Sequence, residues 1–202
     1  VTTDELHFTA WKALADKLGI NDFTKADNVR QRGVSRMASL EVVLEKTDRA
    51  FSEEEKLTLA EEKNEIYVRS LSSLSEADVL SGANEFIDYL KSKGIKTAVG
   101  SASKNTPLIL EKTKLANKFD AVSCGLDTTK SKPDPEVFLI AAKKLGVAPC
   151  DCVVVEDSDA GIEAAKTGGM YAIAVGAAEY NPKVDVAIKD LESLYRALTI
   201  FA

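Results

Sequence analysis

Val153-Val154-Val155-Glu156-Asp157-Ser158-Asp159-Ala160-Gly161 is the stretch that decides the fold. Three β-branched residues followed by two adjacent carboxylates predict a buried parallel strand that delivers acid groups at its C-terminal end, where open α/β sheets place their ligands. Ser158 or Asp159 can cap a helix over 160–166. Neighbouring carboxylates repel and are costly to desolvate, so something positive should compensate them. Magnesium suits, because it takes oxygen ligands and needs only one or two carboxylates when phosphate and water complete its shell. A solvated acidic turn, with Asp159 as a helix cap, accounts for the same residues, and the rest of the chain has to decide.

On the C-terminal side, strands are expected over 171–175 and 184–188, with a closing helix from 191. On the N-terminal side, Lys132-Pro133-Asp134-Pro135-Glu136 predicts a stiff turn that presents Lys132 and starts a helix through 145, with Asp134 at the N-cap. Further back, a strand over 95–100 runs into Ser101, Ala102, Ser103, Lys104 and Asn105, and a helix over 107–115 follows. A strand, a small polar loop and a helix suit a phosphate, and an ordinary capped turn has the same texture. With a short strand over 121–124, strands alternate with helices, which implies α/β architecture with a parallel, doubly wound sheet.

Before residue 77 only helices are expected. Leu6, Ala10, Ala13, Leu14 and Leu18 recur at helical spacing after a start at Thr3, Asp4 and Glu5, with Thr3 as the capping hydroxyl and Gly19 as the stop. Thr3, His7 and Trp11 share a face of that helix. His7, the single histidine, lies near the helix N-terminus, whose dipole favours a neutral imidazole. Ser35 reads as an N-cap, which puts Arg36 in a first turn where a cation opposes the dipole but an anion is welcome. Arg36 is therefore either a phosphate ligand or a solvated arginine. Ser52 opens a helix to about 71 that carries Lys63 and Asn64.

Composition sets outer limits. At 202 residues, 45% hydrophobic and 29% charged, the chain has room for one sizeable α/β domain and a smaller one. No apolar run approaches the roughly 20 residues that span a bilayer, and no signal-peptide pattern opens the chain. A cytoplasmic protein with no membrane association is expected. A net charge of -6 without a long basic stripe argues against nucleic acid. Three cysteines fit a reducing compartment, and Cys150 and Cys152, without further ligands at metal spacing, are expected to be packing residues.

Ser101, Lys132, Glu156 and Asp157 come from different connections of one expected sheet. If all face its C-terminal edge, hydroxyl and ammonium hold phosphoryl oxygens and the acids hold a metal. In this order they resemble the haloacid dehalogenase superfamily: Ser101 matches its second motif, Lys132 its third, and the run from Val153 to Asp157 its fourth. Residues 3–14, Gly33-Val34-Ser35-Arg36, Lys63-Asn64, Ser101 to Asn105 and Glu156-Asp157 together resemble the β-phosphoglucomutase family.

The resemblance implies a helical cap over 2–79 and a Rossmann-like core over 80–202, completed by Val1 and an upstream strand. It implies interconversion of β-D-glucose 1-phosphate and glucose 6-phosphate through β-glucose 1,6-bisphosphate, with Mg2+ as cofactor and small sugar phosphates as partners of a monomer. Ser101, Ala102 and Lys132 would hold the transferring phosphate, with Asp157 and Glu156 at the metal. Arg36, Ser103, Lys104 and Asn105 would hold the second phosphate. His7 and Lys63 would assist, and Thr3 and Ser39 would line the site. The family's nucleophilic aspartate and its acid–base aspartate belong to a first strand that this sequence does not contain, and Asp4, in a helix, cannot replace them. Because losing a central strand exposes two sheet edges, an omitted upstream segment is expected. A sugar-phosphate phosphatase of the same superfamily is the alternative, as is a non-catalytic phosphosugar or metal binder if the chain starts at Val1.

Overall fold

The computed structural model describes residues 1–200. Its first part is helical. Helix α1 (Asp4–Lys17) buries Ala10, Trp11, Leu14 and Ala15, and Gly19 turns the chain at φ 78° just beyond it. Thr3 occupies the N-cap position with φ -118° and ψ 17° and makes no side-chain cap, so the expected hydroxyl cap does not form. The short α2 (Lys25–Val29) was not expected, because five residues carry too little periodicity; a Thr24–Asp27 capping box holds it. Helix α3 (Arg36–Leu44) begins as expected at Ser35, whose Oγ accepts from the Ala38 N–H at 3.2 Å. Helix α4 (Glu53–Ser70) opens on a Ser52–Glu55 capping box. Trp11, Leu14, Phe23, Leu40 and Val43 form the core of this part.

The remainder alternates: α5 (Ala83–Ser92), β1 (Ala98–Gly100), α6 (Thr106–Lys112), β2 (Ala121–Ser123), α7 (Glu136–Leu145), β3 (Val153–Glu156), α8 (Asp159–Thr167), β4 (Tyr171–Val175), β5 (Val186–Ile188) and α9 (Leu191–Ile200). All pairings are parallel, but they form two sheets, β1-β2 and β3-β4-β5, rather than the expected one. This explains two differences from expectation. Strand β3 is paired along one edge, and Val153 is 58% exposed while Val154 is buried. Strand β1 begins only at Ala98, because the Thr97 N–H is taken by Asp120 Oδ2 at 2.7 Å.

Phe138 of α7, Ile162 and Ala165 of α8, and Ala172 and Ala174 of β4 pack into the α/β core. Gly100 closes β1 without a side chain because a Cβ there would lie 2.6 Å from the Phe138 ring. The helical and α/β parts meet where Leu108 and Ile109 of α6 pack against the cluster of Ala10, Tyr67, Leu71 and Leu74. Cys124 is buried and Cys152 packs against the α/β core, but Cys150 is exposed on the Pro149–Asp151 turn and is not a packing residue. Among the described residues no helix is long and apolar enough to cross a membrane.

Leu40 is fully buried among large side chains. Leu40→Ala is expected to lower stability by about 3 kcal/mol, read as a drop in the denaturant midpoint at unchanged slope.

Candidate active site

The C-terminal ends of β1 and β3 are brought together by one lysine. Lys132 Nζ lies 3.0 Å from Glu156 Oε2 and 3.4 Å from the Gly100 carbonyl oxygen, and 4.5 Å from the centre of the Phe138 ring. The side chains of this pair are 4% and 11% exposed. Glu156 Oε1 accepts a 2.5 Å hydrogen bond from Ser158 Oγ. That hydroxyl also accepts the Gly161 N–H as the cap of α8, which settles Ser158 over Asp159 as the capping residue. Gly161 leaves room for the glutamate: a Cβ there would overlap the Glu156 carboxyl group. Lys132 is mounted by the start of α7, where Asp134 Oδ1 accepts the Glu136 N–H at 3.0 Å, although the helix itself begins one residue later than the capping pattern predicts.

Ser101 follows β1, and its backbone N–H donates to the Ser123 carbonyl at 3.0 Å. The loop then folds on its own hydroxyls: Ser101 Oγ accepts the Ser103 N–H, and Ser103 Oγ accepts the Asn105 N–H. Gly125 packs against it, since a Cβ there would overlap the Ala102 carbonyl oxygen. Ser101, Ala102, Ser103 and Asn105 are half-buried and Lys104 is exposed.

A second cluster of cations lies in the helical part. Lys63 of α4 is buried, its Nζ 2.8 Å from His7 Nδ1 and over the rings of Trp11 and Tyr67. His7 stacks on Tyr67 at 3.9 Å between centroids. Burial, then the charges of Lys63 and Arg36, push the His7 pKa down to about 3, which gives the expected neutral imidazole with desolvation as its first cause. Burial and then Arg36 lower Lys63 to about 7. Arg36 pairs with Glu61 at 2.8 Å. Asp4 is held by Arg32 at 2.6 Å and by Asn28 at 2.9 Å. Ser39 is buried on α3, and among the described residues no hydrogen bond joins its side chain to the other candidates.

The two clusters face one another across two contacts. Asn105 Nδ2 donates to Asn64 Oδ1 at 2.9 Å. Gly33, at φ 75°, abuts α8 so closely that a Cβ would sit 2.6 Å from Ser158 Oγ. Sequence reasoning named Asn64 only beside Lys63 and did not find Ser158 as a ligand of Glu156, or Glu61. The signal for Glu61 and Asn64 was their three-residue spacing on one helix face.

Asp157 is the carboxylate here that could contribute to a divalent-cation site, although among the described residues no three or more His, Cys, Asp or Glu side chains cluster to hold one. Asp157 keeps solvent access, yet the surrounding protein and then the Glu156 charge raise its pKa, with Lys132 opposing. Such an under-compensated carboxylate suits Mg2+, which binds through one or two carboxylates plus water and phosphate. Both oxygens of Glu156 are already engaged, by Lys132 and Ser158, which suits it to orient the site more than to bind a cation directly.

The model of the haloacid dehalogenase-like hydrolases matches residues 1–169. The chain belongs to that family. It is 36% identical over 194 residues to β-phosphoglucomutase of Bacillus subtilis (strain 168), a match covering 95% of this chain and 85% of that one. It is also 30% identical over 174 residues to a phosphorylated carbohydrates phosphatase of Thermotoga maritima, with 85% and 77% covered. A crystal structure of β-phosphoglucomutase from Clostridium difficile has a TM-score of 0.90 at 35% identity, covering 98% of this chain and 93% of that one. Homology of this extent marks the chain as an enzyme of the family.

Two predictions test the clusters. Lys132→Met leaves Glu156 without its ammonium and should cost about 3–5 kcal/mol of stability, measured by denaturant unfolding. Lys63 loses its proton as pH rises through about 7, so an anion held by Lys63 and Arg36 should bind more weakly above that pH. Sulfate, whose charge is constant there, should bind roughly tenfold less tightly at pH 8 than at pH 6, and Lys63→Met should remove the dependence; both are read by calorimetric titration.

Proposed function

We propose that the chain is a phosphosugar mutase that interconverts β-D-glucose 1-phosphate and glucose 6-phosphate through β-glucose 1,6-bisphosphate. The observation that carries this reading is that the 101–105 loop stands between two cationic groups, Lys132 on the core side and Arg36 with Lys63 on the helical side, the latter reached through the Asn64–Asn105 contact. A bisphosphate presents two phosphoryl groups and needs two such sites, whereas releasing phosphate from a monoester needs one. The division follows as a helical cap over 2–79 and a core over 80–202.

In this reading Ser101, Ala102 and Lys132 hold the phosphoryl group in transfer, and Lys132 offsets charge that builds on its oxygens. Arg36, Ser103, Lys104 and Asn105 hold the other phosphate, Lys63 adds a cation, and His7 keeps Lys63 in place as a neutral acceptor. Thr3 and Ser39 line the cap side. Mg2+, at Asp157 with Glu156 behind it, supplies charge neutralisation of the phosphoryl oxygens when bound. The contacts of Gly33 with Ser158 and of Asn64 with Asn105 shut the cap on the core and keep water from the phosphoryl group.

The phosphoryl acceptor in this reading is the aspartate that the family resemblance implies, with a second aspartate as acid and base, and neither role is assigned to a residue of this sequence. The aspartyl phosphate gives its phosphoryl group to a sugar hydroxyl and takes the other one back from the bisphosphate. Glu156 and Asp4 are both engaged in ion pairs and take neither role. The relation to the Thermotoga phosphatase keeps sugar-phosphate hydrolysis as the second reading.

The test follows product identity with the full-length protein. Given β-glucose 1-phosphate, magnesium and a trace of the bisphosphate, glucose 6-phosphate should form well ahead of inorganic phosphate. Arg36→Met should lower kcat/KM for the mutase reaction by about a hundredfold, the order expected for loss of a positioned charge-assisted contact. Dominant phosphate release would overturn the mutase reading in favour of the phosphatase.

A further inference from the structure

A single carboxylate gathers the contacts that run from the helical part to the phosphate loop. Glu61 on α4 accepts from Arg36 Nη1 through Oε2 at 2.8 Å and from Asn64 Nδ2 through Oε1 at 3.1 Å. Asn64 Oδ1 in turn accepts from Asn105 Nδ2 at 2.9 Å. We propose that Glu61 is a positioning residue for the second phosphate: its carboxylate aims Arg36 and sets the direction in which Asn64 reaches Asn105. The proposal rests on the mutase reading above and deepens its account of that one site.

The polarity of the relay follows from the chemistry of the carboxylate. An ionised glutamate only accepts, so both Arg36 and Asn64 must turn N–H groups toward it. With its amide nitrogen committed, Asn64 offers its oxygen to the core, and Asn105 must donate. Asn105 spends one of its amide hydrogens and Arg36 one N–H of Nη1 on these contacts, so each keeps further donors for an anion. Glu61 also offsets the mutual repulsion of Arg36 and buried Lys63 when no anion lies between them. At 62% exposure, Glu61 would contribute little to stability as an isolated surface pair. Its consequence lies in geometry, because a small misplacement of binding groups weakens binding of a rigid ligand. Glu61 and Asn64 fall on one face of α4, and Lys63 between them points inward.

The experiment is a mutant cycle read by calorimetric titration with glucose 6-phosphate and with sulfate. Glu61→Ala should weaken glucose 6-phosphate binding about five- to tenfold, and Glu61→Gln, which keeps one acceptor oxygen, should recover part of that loss. Glu62→Ala, which removes only the neighbouring pair with Lys17, should leave the affinity unchanged. In an Arg36→Met background Glu61→Ala should lose most of its effect, the non-additivity of groups acting as a unit. Unchanged or tighter binding by Glu61→Ala, or full additivity with Arg36→Met, would overturn the proposal. If the wild type releases phosphate instead of isomerising, the mutase reading falls while the binding cycle still judges Glu61. If it binds neither glucose 6-phosphate nor sulfate, both fall.

Discussion

A buried ammonium–carboxylate pair governs this site. Lys132 and Glu156 are almost wholly removed from water, which is tolerated because their geometry is good and both have further partners. The Gly100 carbonyl and the Phe138 ring lie against the ammonium, which keeps an N–H for another acceptor, and Ser158 donates to the second carboxylate oxygen. Each of those partners imposes a local demand. Gly100 must lack a side chain so that Phe138 can approach, Gly161 must lack one so that Glu156 can lie on α8, and Ser158 serves the glutamate and the helix cap together. The tips of β1 and β3 are thereby held around one charge although no backbone ladder joins them.

The helical part solves the opposite problem. It gathers Lys63 and Arg36 around a neutral histidine, with a carboxylate on Arg36 but, among the described residues, none paired with Lys63. The aromatic rings of Trp11 and Tyr67 lend Lys63 some compensation. A buried cation with so little opposing charge sits at a lowered pKa, about 7 for Lys63, and gains most from an anion placed beside it. Lys132 and Lys63 thus have opposite surroundings, one paired with a buried carboxylate and the other lying over aromatic rings beside a neutral histidine.

Much of this was legible in the chain. The parallel α/β character, the helical first part, Ser35 and Ser52 as caps, and the candidate groups at strand tips follow from periodicity and local hydrogen-bonding preferences, which act over a few residues. The lengths of β1 and β5 and the exposure of Val153 were not legible, since they depend on which strands stand beside them. The Thr3 cap did not form because its backbone leaves the extended region that a capping hydroxyl needs, and α2 was missed because five residues carry too little periodicity, although its Thr24–Asp27 capping box is a local signal.

The sequence by itself determined the kinds of chemistry available: which residues carry charge, where strands end and helices start, and that a phosphate and a hard cation are ligands such groups would suit. Those are properties of side-chain type and short-range backbone preference. Only the tertiary structure decided how the groups are shared: that Glu156 is engaged by Lys132 and Ser158 and leaves Asp157 accessible, that burial beside Lys63 and Arg36 keeps His7 neutral, and that Glu61 joins Arg36 to Asn64 and through it to Asn105. Burial and distance between residues far apart in the chain set those outcomes, and neither is written in any local stretch.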